Sequence, residues 1–382
     1  MNKIIERKAD TVAVKRLIRQ FPITAILGSR QCGKTFLAKR LGPDHYFDLE
    51  NPRDIARLET PQLALENLRG LIAIDEIQRL PSLFPLLRYL SDKKSRQKYL
   101  ILGSAAPNLI KHTSETLAGR IGYHRLEGFA IGDVGGPHAK KLWLRGGYPM
   151  SYLARSGAES AVWRENYIAT FLERDIPQLG ISIPSRALRR FWMMLSHYHG
   201  NILNHLELAS SFGVSDMTIR RYLEILEGTF MVRLLGPWHN NIGKRLIKRP
   251  KVYMRDSGIL HALLSITTED ELLSHNKLGA SWEGFALECA ARCIGKRDEE
   301  LFFWGTHSGA EVDLFWQDKG KGWAIEFKYE DAPKVTKSMQ VATKDLDLDH
   351  LWVVYPGSQR YHLAEKISAL PITDIGTTWN YH

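Results

Sequence analysis

Three short, nearly continuous apolar runs mark the first third of the chain: FPITAIL at 21–27, LIAID at 71–75 and KYLILG at 98–103. Each is flanked by helical or turn-rich sequence, and runs apolar on both faces suit strands of a parallel sheet covered on both sides by helices. YHRLEGF at 123–129 adds a further strand. Ahead of them, residues 3–20 repeat apolar positions (Ile4, Ile5, Val12, Val14, Leu17, Ile18) among basic ones, the spacing of an amphipathic helix. GDVGGPHAKK at 132–141 is rich in Gly and Pro and reads as a loop or linker at the edge of the first domain. From Glu159 to Leu226 apolar residues recur every three or four positions, which predicts helices and needs no strand. FMVRLLGPWHNNIGKRLIKRPKVYMRD then reads as two strands joined by a basic turn, and SGILHALL as a short helix. Beyond it come a helix, SWEGFALECAARCI, and four strands, LFFWG, EVDLFW, GWAIEFK and LWVVYP. The expected class is α/β, in domains at 1–150, 151–268 and 269–382.

At 382 residues the chain has room for two or three domains of ~150 residues, each with its own core. Hydrophobic residues at 44% and charged residues at 25% exclude a mostly disordered or fibrous chain. Lys plus Arg at 52 against Asp plus Glu at 42 leaves +10, a surplus that points to a polyanionic partner where it is concentrated on one surface. The three cysteines, Cys32, Cys289 and Cys293, cannot all pair and stand in no zinc spacing, which suits a reducing compartment. The amino terminus is charged throughout, and no stretch approaches the ~18 uncharged apolar residues of a membrane span. The expectation is a soluble cytoplasmic protein with no membrane partner.

Gly28, Ser29, Arg30, Gln31, Cys32, Gly33, Lys34 and Thr35 spell GxxxxGK[ST] between the strand ITAIL and the helix TFLAKRL. That context is the one a phosphate-binding loop requires. Its glycines let backbone N–H groups curl toward phosphates at a helix N-terminus. Lys34 would neutralise the β and γ phosphates of ATP and the Thr35 hydroxyl would ligate Mg²⁺. Asp75, at the end of LIAID, can hold that magnesium through water, and Glu76 beside it can polarise the attacking water. Ser104, ending KYLILG, is a candidate sensor of the γ phosphate or an ordinary strand-end residue. Cys32 reads as a filler of the loop.

Together, GSRQCGKT, IDEIQ, GSAAPNL, LAGRI and RGGYP resemble the AAA+ ATPases, specifically the bacterial and archaeal group that carries a DUF4143 region, over nearly the whole chain. The resemblance implies a P-loop AAA+ core, a homo-oligomer, often a hexameric ring, and an arginine that completes a neighbouring subunit's site. By position that arginine is Arg120 in LAGRI. Such a finger offsets charge on the transferred phosphoryl group. Arg145 in LRGGYP would instead contact the γ phosphate in cis, or serve as a plain loop arginine.

ILNHLELASSFGVSDMTIRRYLEIL at 202–226 places a short helix, a turn at Gly213 and a second helix after Ser215. It resembles the winged-helix domains of bacterial regulators, whose second helix enters the major groove of DNA. Thr218, Arg220 and Arg221 would then face the groove. Arg233, Lys244, Arg245, Lys248, Arg249, Lys251 and Arg255 fall within twenty-three residues with no acid among them, a phosphate-binding composition, and His239, Asn240 and Asn241 would tip the wing. Protein docking is the alternative reading.

EVDLFWQDKGKGWAIEFK carries Asp313 on one strand and Glu326 and Lys328 on the next. Period-two alternation puts Glu326 and Lys328 on one face. The arrangement resembles the PD-(D/E)xK nucleases, in which Asp313, Glu326 and the helical Glu283 would bind Mg²⁺ while Lys328 activates the water that attacks a phosphodiester. Glu288, five positions along the same helix, is the alternative to Glu283. His197, His199 and His205 lack companions for a metal set and read as structural or surface residues. Trp304, Trp316 and Trp323 read as core rather than base-stacking platforms. The chain is thus expected to be an ATP-hydrolysing AAA+ protein that acts on duplex or branched DNA. The alternatives are an ATP-gated regulator or scaffold with an inactive nuclease fold, and an ATP-dependent nuclease.

Overall fold

The structure is a computed structural model, and it describes residues 4–93, 97–104, 116–239 and 247–378. The chain divides into two compact units. The first comprises Met1–Phe129, Tyr148–Met150 and Gly228–Met231, and the second Ala130–Gly147, Ser151–Glu227 and Val232–His382.

In the first unit the expected apolar runs become β1 (Ile23–Gly28), β3 (Gly70–Asp75), β4 (Gln97–Ser104) and β5 (Ile121–Arg125). A fifth strand, β2 (His45–Asp48), has no apolar run to announce it. Only Phe47 of its four side chains is buried, so it reads as loop until β3 supplies a partner. The order is β2-β3-β4-β1-β5, and every pairing is parallel. All six residues of β1 are buried, as a strand with neighbours on both edges and helices on both faces demands. The parallel arrangement brings the carboxyl ends of β1, β3 and β4 to one edge, where open α/β sheets bind their ligands. The amphipathic helix at the amino terminus forms over Lys8–Gln20.

The second unit begins with a departure from expectation. The Gly- and Pro-rich stretch at 132–141 lies at the unit boundary but is largely helical, as Ile131–Val134, a 3-10 turn Gly136–His138 and Ala139–Arg145. Two local contacts explain this. The Asp133 carboxylate accepts from the Ala130 N–H at 2.8 Å, capping the first turn, and Trp143 anchors the next helix by burying its ring. Helices Gly157–Thr170, Ser185–His197, His205–Phe212 and Asp216–Gly228 fill the middle region, as the periodicity predicts.

An eight-stranded mixed sheet follows: β6 (Val232–Pro237), β7 (Lys251–Met254), β8 (Phe302–Gly305), β9 (Glu311–Asp318), β10 (Lys321–Phe327), β11 (Leu348–Tyr355), β12 (Tyr361–Ala364) and β13 (Ile367–Pro371). Its order is β12-β13-β11-β10-β9-β8-β6-β7. The basic hairpin β6-β7, expected as a separate wing, is therefore also the edge of the carboxyl-terminal sheet. Gly236 and Pro237 pair with Phe302 and Phe303, and Trp238 packs on Phe302 and Phe315 with ring centroids 5.0 Å away. Helix Lys337–Asp345 covers one face through Met339 and Ala342, packed with Trp304, Val312, Phe315, Leu351 and Val353. No described helix is long and apolar enough to cross a membrane.

Candidate functional site

The phosphate loop leaves β1 at Gly28, where a side chain is impossible. A Cβ there would stand 2.1 Å from the Leu126 carbonyl oxygen. Gln31 at φ 60° and Gly33 at φ 105° then curl the chain into the helix Lys34–Arg40. Lys34 is buried, and its ammonium donates to the Gly28 and Ser29 carbonyls at 3.0 and 2.9 Å. Thr35 follows on the first turn, and its hydroxyl donates to Asp75 Oδ2 at 2.7 Å. The two side chains expected to handle magnesium thus meet across the sheet edge. A hydroxyl and a carboxylate at this spacing are hard oxygen donors of the kind a magnesium ion takes, so the residues fit the ion.

Glu76 occupies the left-handed region, φ 55° and ψ 42°, and its N–H donates to Asp75 Oδ1 at 2.9 Å. Burial raises the Glu76 carboxyl above its ordinary range, with the Lys34 ammonium pulling the other way, and Gln78 donates to its Oε2. Ser104 pairs in register with Gly28, beside the start of the loop. Its hydroxyl is buried without a hydrogen-bond partner among the described residues, a donor left over for a ligand. Arg30 reaches Glu50 at 3.0 Å, and so does Arg79. Cys32 is fully buried under the loop, which fits the filler reading.

Arg120 stands elsewhere. Its carbonyl accepts from the Ile23 N–H at the start of β1, and its guanidinium forks onto Asp92 at 2.5 and 3.0 Å. The six residues of β1, roughly 20 Å of strand, separate it from the phosphate loop of its own chain. Arg145 belongs to the second unit, where it donates to the Ala154 carbonyl at 2.8 Å.

In the middle region Gly213 closes helix His205–Phe212 in the left-handed conformation, and the Ser215 hydroxyl accepts from the Thr218 N–H at 3.2 Å to start the next helix. Thr218 is half-buried. Arg220 and Arg221 are exposed, Arg220 tied to Asp216 at 2.7 Å one turn earlier. The basic hairpin splits. Lys248 and Arg249 are exposed, whereas Lys244, Arg245, Asn240 and Asn241 lie outside the described residues. Arg233 and Arg255 turn inward onto Glu288 and Asp298.

Lys251 also turns inward, which corrects its reading as a phosphate contact. Its side chain is 4% exposed, and its ammonium lies 3.4 Å from Glu283 Oε1 and 3.3 Å from Asp313 Oδ1, with Glu311 in direct contact. Tyr253, two residues on along β7 and so on the same face, donates to Glu283 Oε1 at 2.6 Å. Ile325 pairs with Leu314, so Asp313 and Glu326 fall opposite each other, and Asp313 Oδ2 accepts from the Phe327 N–H at 2.9 Å. Lys328 reaches Glu326 at 2.8 Å. Burial, then Asp313, push Glu283 up to about 7 and Glu326 up to about 8. Burial opposes the charge on Lys251, yet Tyr253 and the surrounding carboxylates hold its ammonium protonated well above the ordinary range. Glu283, not Glu288, is the helical acid of this cluster. The trio Glu283, Asp313 and Glu326 gathers as the sequence implies, but with a lysine ammonium among them these residues do not fit a magnesium ion. No group of three or more His, Cys, Asp or Glu side chains among the described residues is arranged to hold a metal.

Residues 20–134 match the family described as an AAA domain, 137–270 a domain of unknown function, DUF8612, and 278–375 a domain of unknown function, DUF4143. The uncharacterized proteins Mb2031c of Mycobacterium bovis and Rv2008c of Mycobacterium tuberculosis are each 46% identical over 379 residues, covering 98% of this chain and 86% of their own. The chain belongs to the family that joins an AAA domain to a DUF4143 domain. The Walker-type ATPase PABY2304 of Pyrococcus abyssi shares the fold at a TM-score of 0.50 and 15% identity, over 68% of this chain and 96% of its own.

Three residues of this AAA and DUF4143 protein carry roles that sequence reasoning missed. Tyr46, on the unannounced β2, donates to Asp75 Oδ2 at 2.6 Å, and burial together with that carboxylate keeps its phenol protonated. Arg7, just ahead of the first helix, is 4% exposed; it donates to the Cys32 carbonyl at 2.9 Å and the Gly128 carbonyl at 2.8 Å while pairing with Asp10. It props the phosphate loop from behind. The third is Lys251, masked in the sequence by its basic neighbours.

Proposed function

We propose that this protein is a magnesium-dependent ATPase that acts on DNA as a homo-oligomer. The observation that carries the reading is the meeting of the Thr35 hydroxyl with Asp75 beside the looped-back Lys34 ammonium. Lys34 would exchange its two carbonyls for the β and γ phosphate oxygens of ATP, and the curled loop would offer its N–H groups. Thr35 and Asp75 would hold Mg²⁺, which supplies charge neutralisation on the phosphate oxygens. Glu76, its carboxyl raised by burial, is poised to take the proton from water attacking the γ phosphorus. The Ser104 hydroxyl donates to the γ phosphate.

Arg120 supports the oligomer. A strand's length from its own loop, it serves as a finger only for a neighbour, trading Asp92 for phosphate. The exposed Arg220 and Arg221 on the second helix of the helix-turn-helix, with Lys248 and Arg249 on the hairpin, support DNA as the polyanion.

Steady-state ATP hydrolysis with single-stranded, duplex and four-way-junction DNA at low salt tests the reading. Stimulation by one DNA form is expected, weakened by salt, and abolished in Lys34→Ala and Glu76→Gln. Arg120→Ala should lower kcat by roughly 10³-fold and leave ATP binding intact. Hydrolysis indifferent to every DNA would replace the DNA-acting reading with an ATP-gated switch for a protein partner.

A further inference from the structure

We propose that the Lys251 ammonium is the resident cation of the carboxyl-terminal carboxylate cluster, standing where a D…ExK nuclease would hold its divalent metal and keeping that metal out. Three carboxylates from two elements converge on one nitrogen: Glu283 from helix Leu278–Ile294, and Glu311 and Asp313 from β9, with contacts of 3.4 and 3.3 Å to Glu283 and Asp313. An ammonium offers three donors, one to each. Magnesium takes oxygen ligands at about 2.0–2.1 Å, so an ion serving Glu283 and Asp313 together would compete with the ammonium for the same two oxygens, Glu283 Oε1 and Asp313 Oδ1.

The lysine is fixed there by backbone pairing. Lys251 pairs with Leu235 on β6 and bridges to Ile202 on its other side, so register rather than side-chain choice aims it inward. Tyr253 reinforces the placement by donating to the same Glu283 oxygen from the same face of β7. Lys328 pairs directly with Glu326 beside the cluster, and Lys251 is the cation in direct contact with the other three acids. Removing one partner from a buried ionic set leaves the others uncompensated and hungry for a cation. The hairpin therefore brings a cation of its own to an edge that resembles a nuclease centre. None of this depends on the nucleotide site.

Mn²⁺ binding to the full chain, read by electron paramagnetic resonance without nucleotide, tests the proposal. Wild type and Asp313→Asn should bind Mn²⁺ alike, whereas Lys251→Met should gain a bound ion at least tenfold tighter than any in wild type, lost again in Lys251→Met/Asp313→Asn. Mn²⁺ bound by wild type and abolished by Asp313→Asn overturns the proposal, as does a folded Lys251→Met that gains no ion. Should Lys251→Met fail to fold, the comparison of wild type with Asp313→Asn decides by itself: identical binding supports the proposal and a difference overturns it.

Discussion

Glu76 is held at positive φ without being a glycine, at a cost of roughly 1–2 kcal/mol that the sequence would shed if the geometry were idle. Its carboxylate feels the Lys34 ammonium of the loop, and the Asp75 carboxylate fixes the turn by accepting its N–H. The second residue-scale device is Arg7. Its contact to Cys32 is buried and those to Gly128 and Asp10 are part-buried, a setting in which a hydrogen bond to a charged group contributes about 1.5–3 kcal/mol. Arg7→Ala is expected to raise the KM for ATP while lowering stability by about 2–4 kcal/mol, whereas Arg40→Ala, whose pair with Glu6 is exposed, should change stability by less than about 1 kcal/mol. Denaturant midpoints and ATP titrations on both variants check the contrast.

At the scale of elements the hairpin β6-β7 separates two kinds of basic residue that composition cannot tell apart. Strand residues Arg233 and Lys251 and the following Arg255 point into carboxylates, and Lys248 and Arg249, in the connection ahead of β7, point out. Only the outward set can release counterions from DNA. The helix Asp216–Gly228 divides likewise: Ile219, Tyr222, Leu223 and Leu226 are buried at helical spacing, leaving Arg220 and Arg221 on the opposite face. Replacing Arg221 and Arg249 together by Ala should weaken DNA binding and reduce the slope of log affinity against log salt by roughly one per lost phosphate contact. Fluorescence anisotropy over a salt series reads both; an unchanged slope would count against Arg221 and Arg249 as phosphate contacts.

For the whole molecule, all ten tryptophans belong to the second unit, so indole fluorescence reports that unit's unfolding alone. Two buried histidines tie its stability to pH. Burial holds His199 down to about 3 and His261 down to about 4; the His261 ring bonds the Leu144 carbonyl at 2.9 Å and the Ser281 hydroxyl at 2.7 Å. Both stay neutral in the folded state while the unfolded chain protonates them near the ordinary ~6.5. For these two groups the unfolded state binds more protons below about 6.5, so their contribution is complete above that pH and falls as pH drops toward about 4. Glu283 and Glu326, pushed up to about 7 and about 8 in the same unit, act in the opposite sense, so the histidine contribution is read as a difference: the gap in tryptophan-detected urea midpoint between wild type and His261→Asn should narrow from pH 7 to pH 5.

The sequence by itself determined the phosphate loop, the apolar strands that carry it and Asp75, the helical middle and the strands of the carboxyl-terminal sheet from β8 to β11. These are local signals: a spacing fixed by phosphate geometry, or a periodicity set by one sheet or helix face. Tertiary structure alone decided β2, whose polar residues pair only because β3 lies beside them, and the joining of the hairpin to the carboxyl-terminal sheet through β8. It also decided that Lys251 faces three carboxylates while nearby Lys248 and Arg249 face solvent. A charge's partner depends on what folds against it from distant parts of the chain, and no spacing along the sequence encodes that.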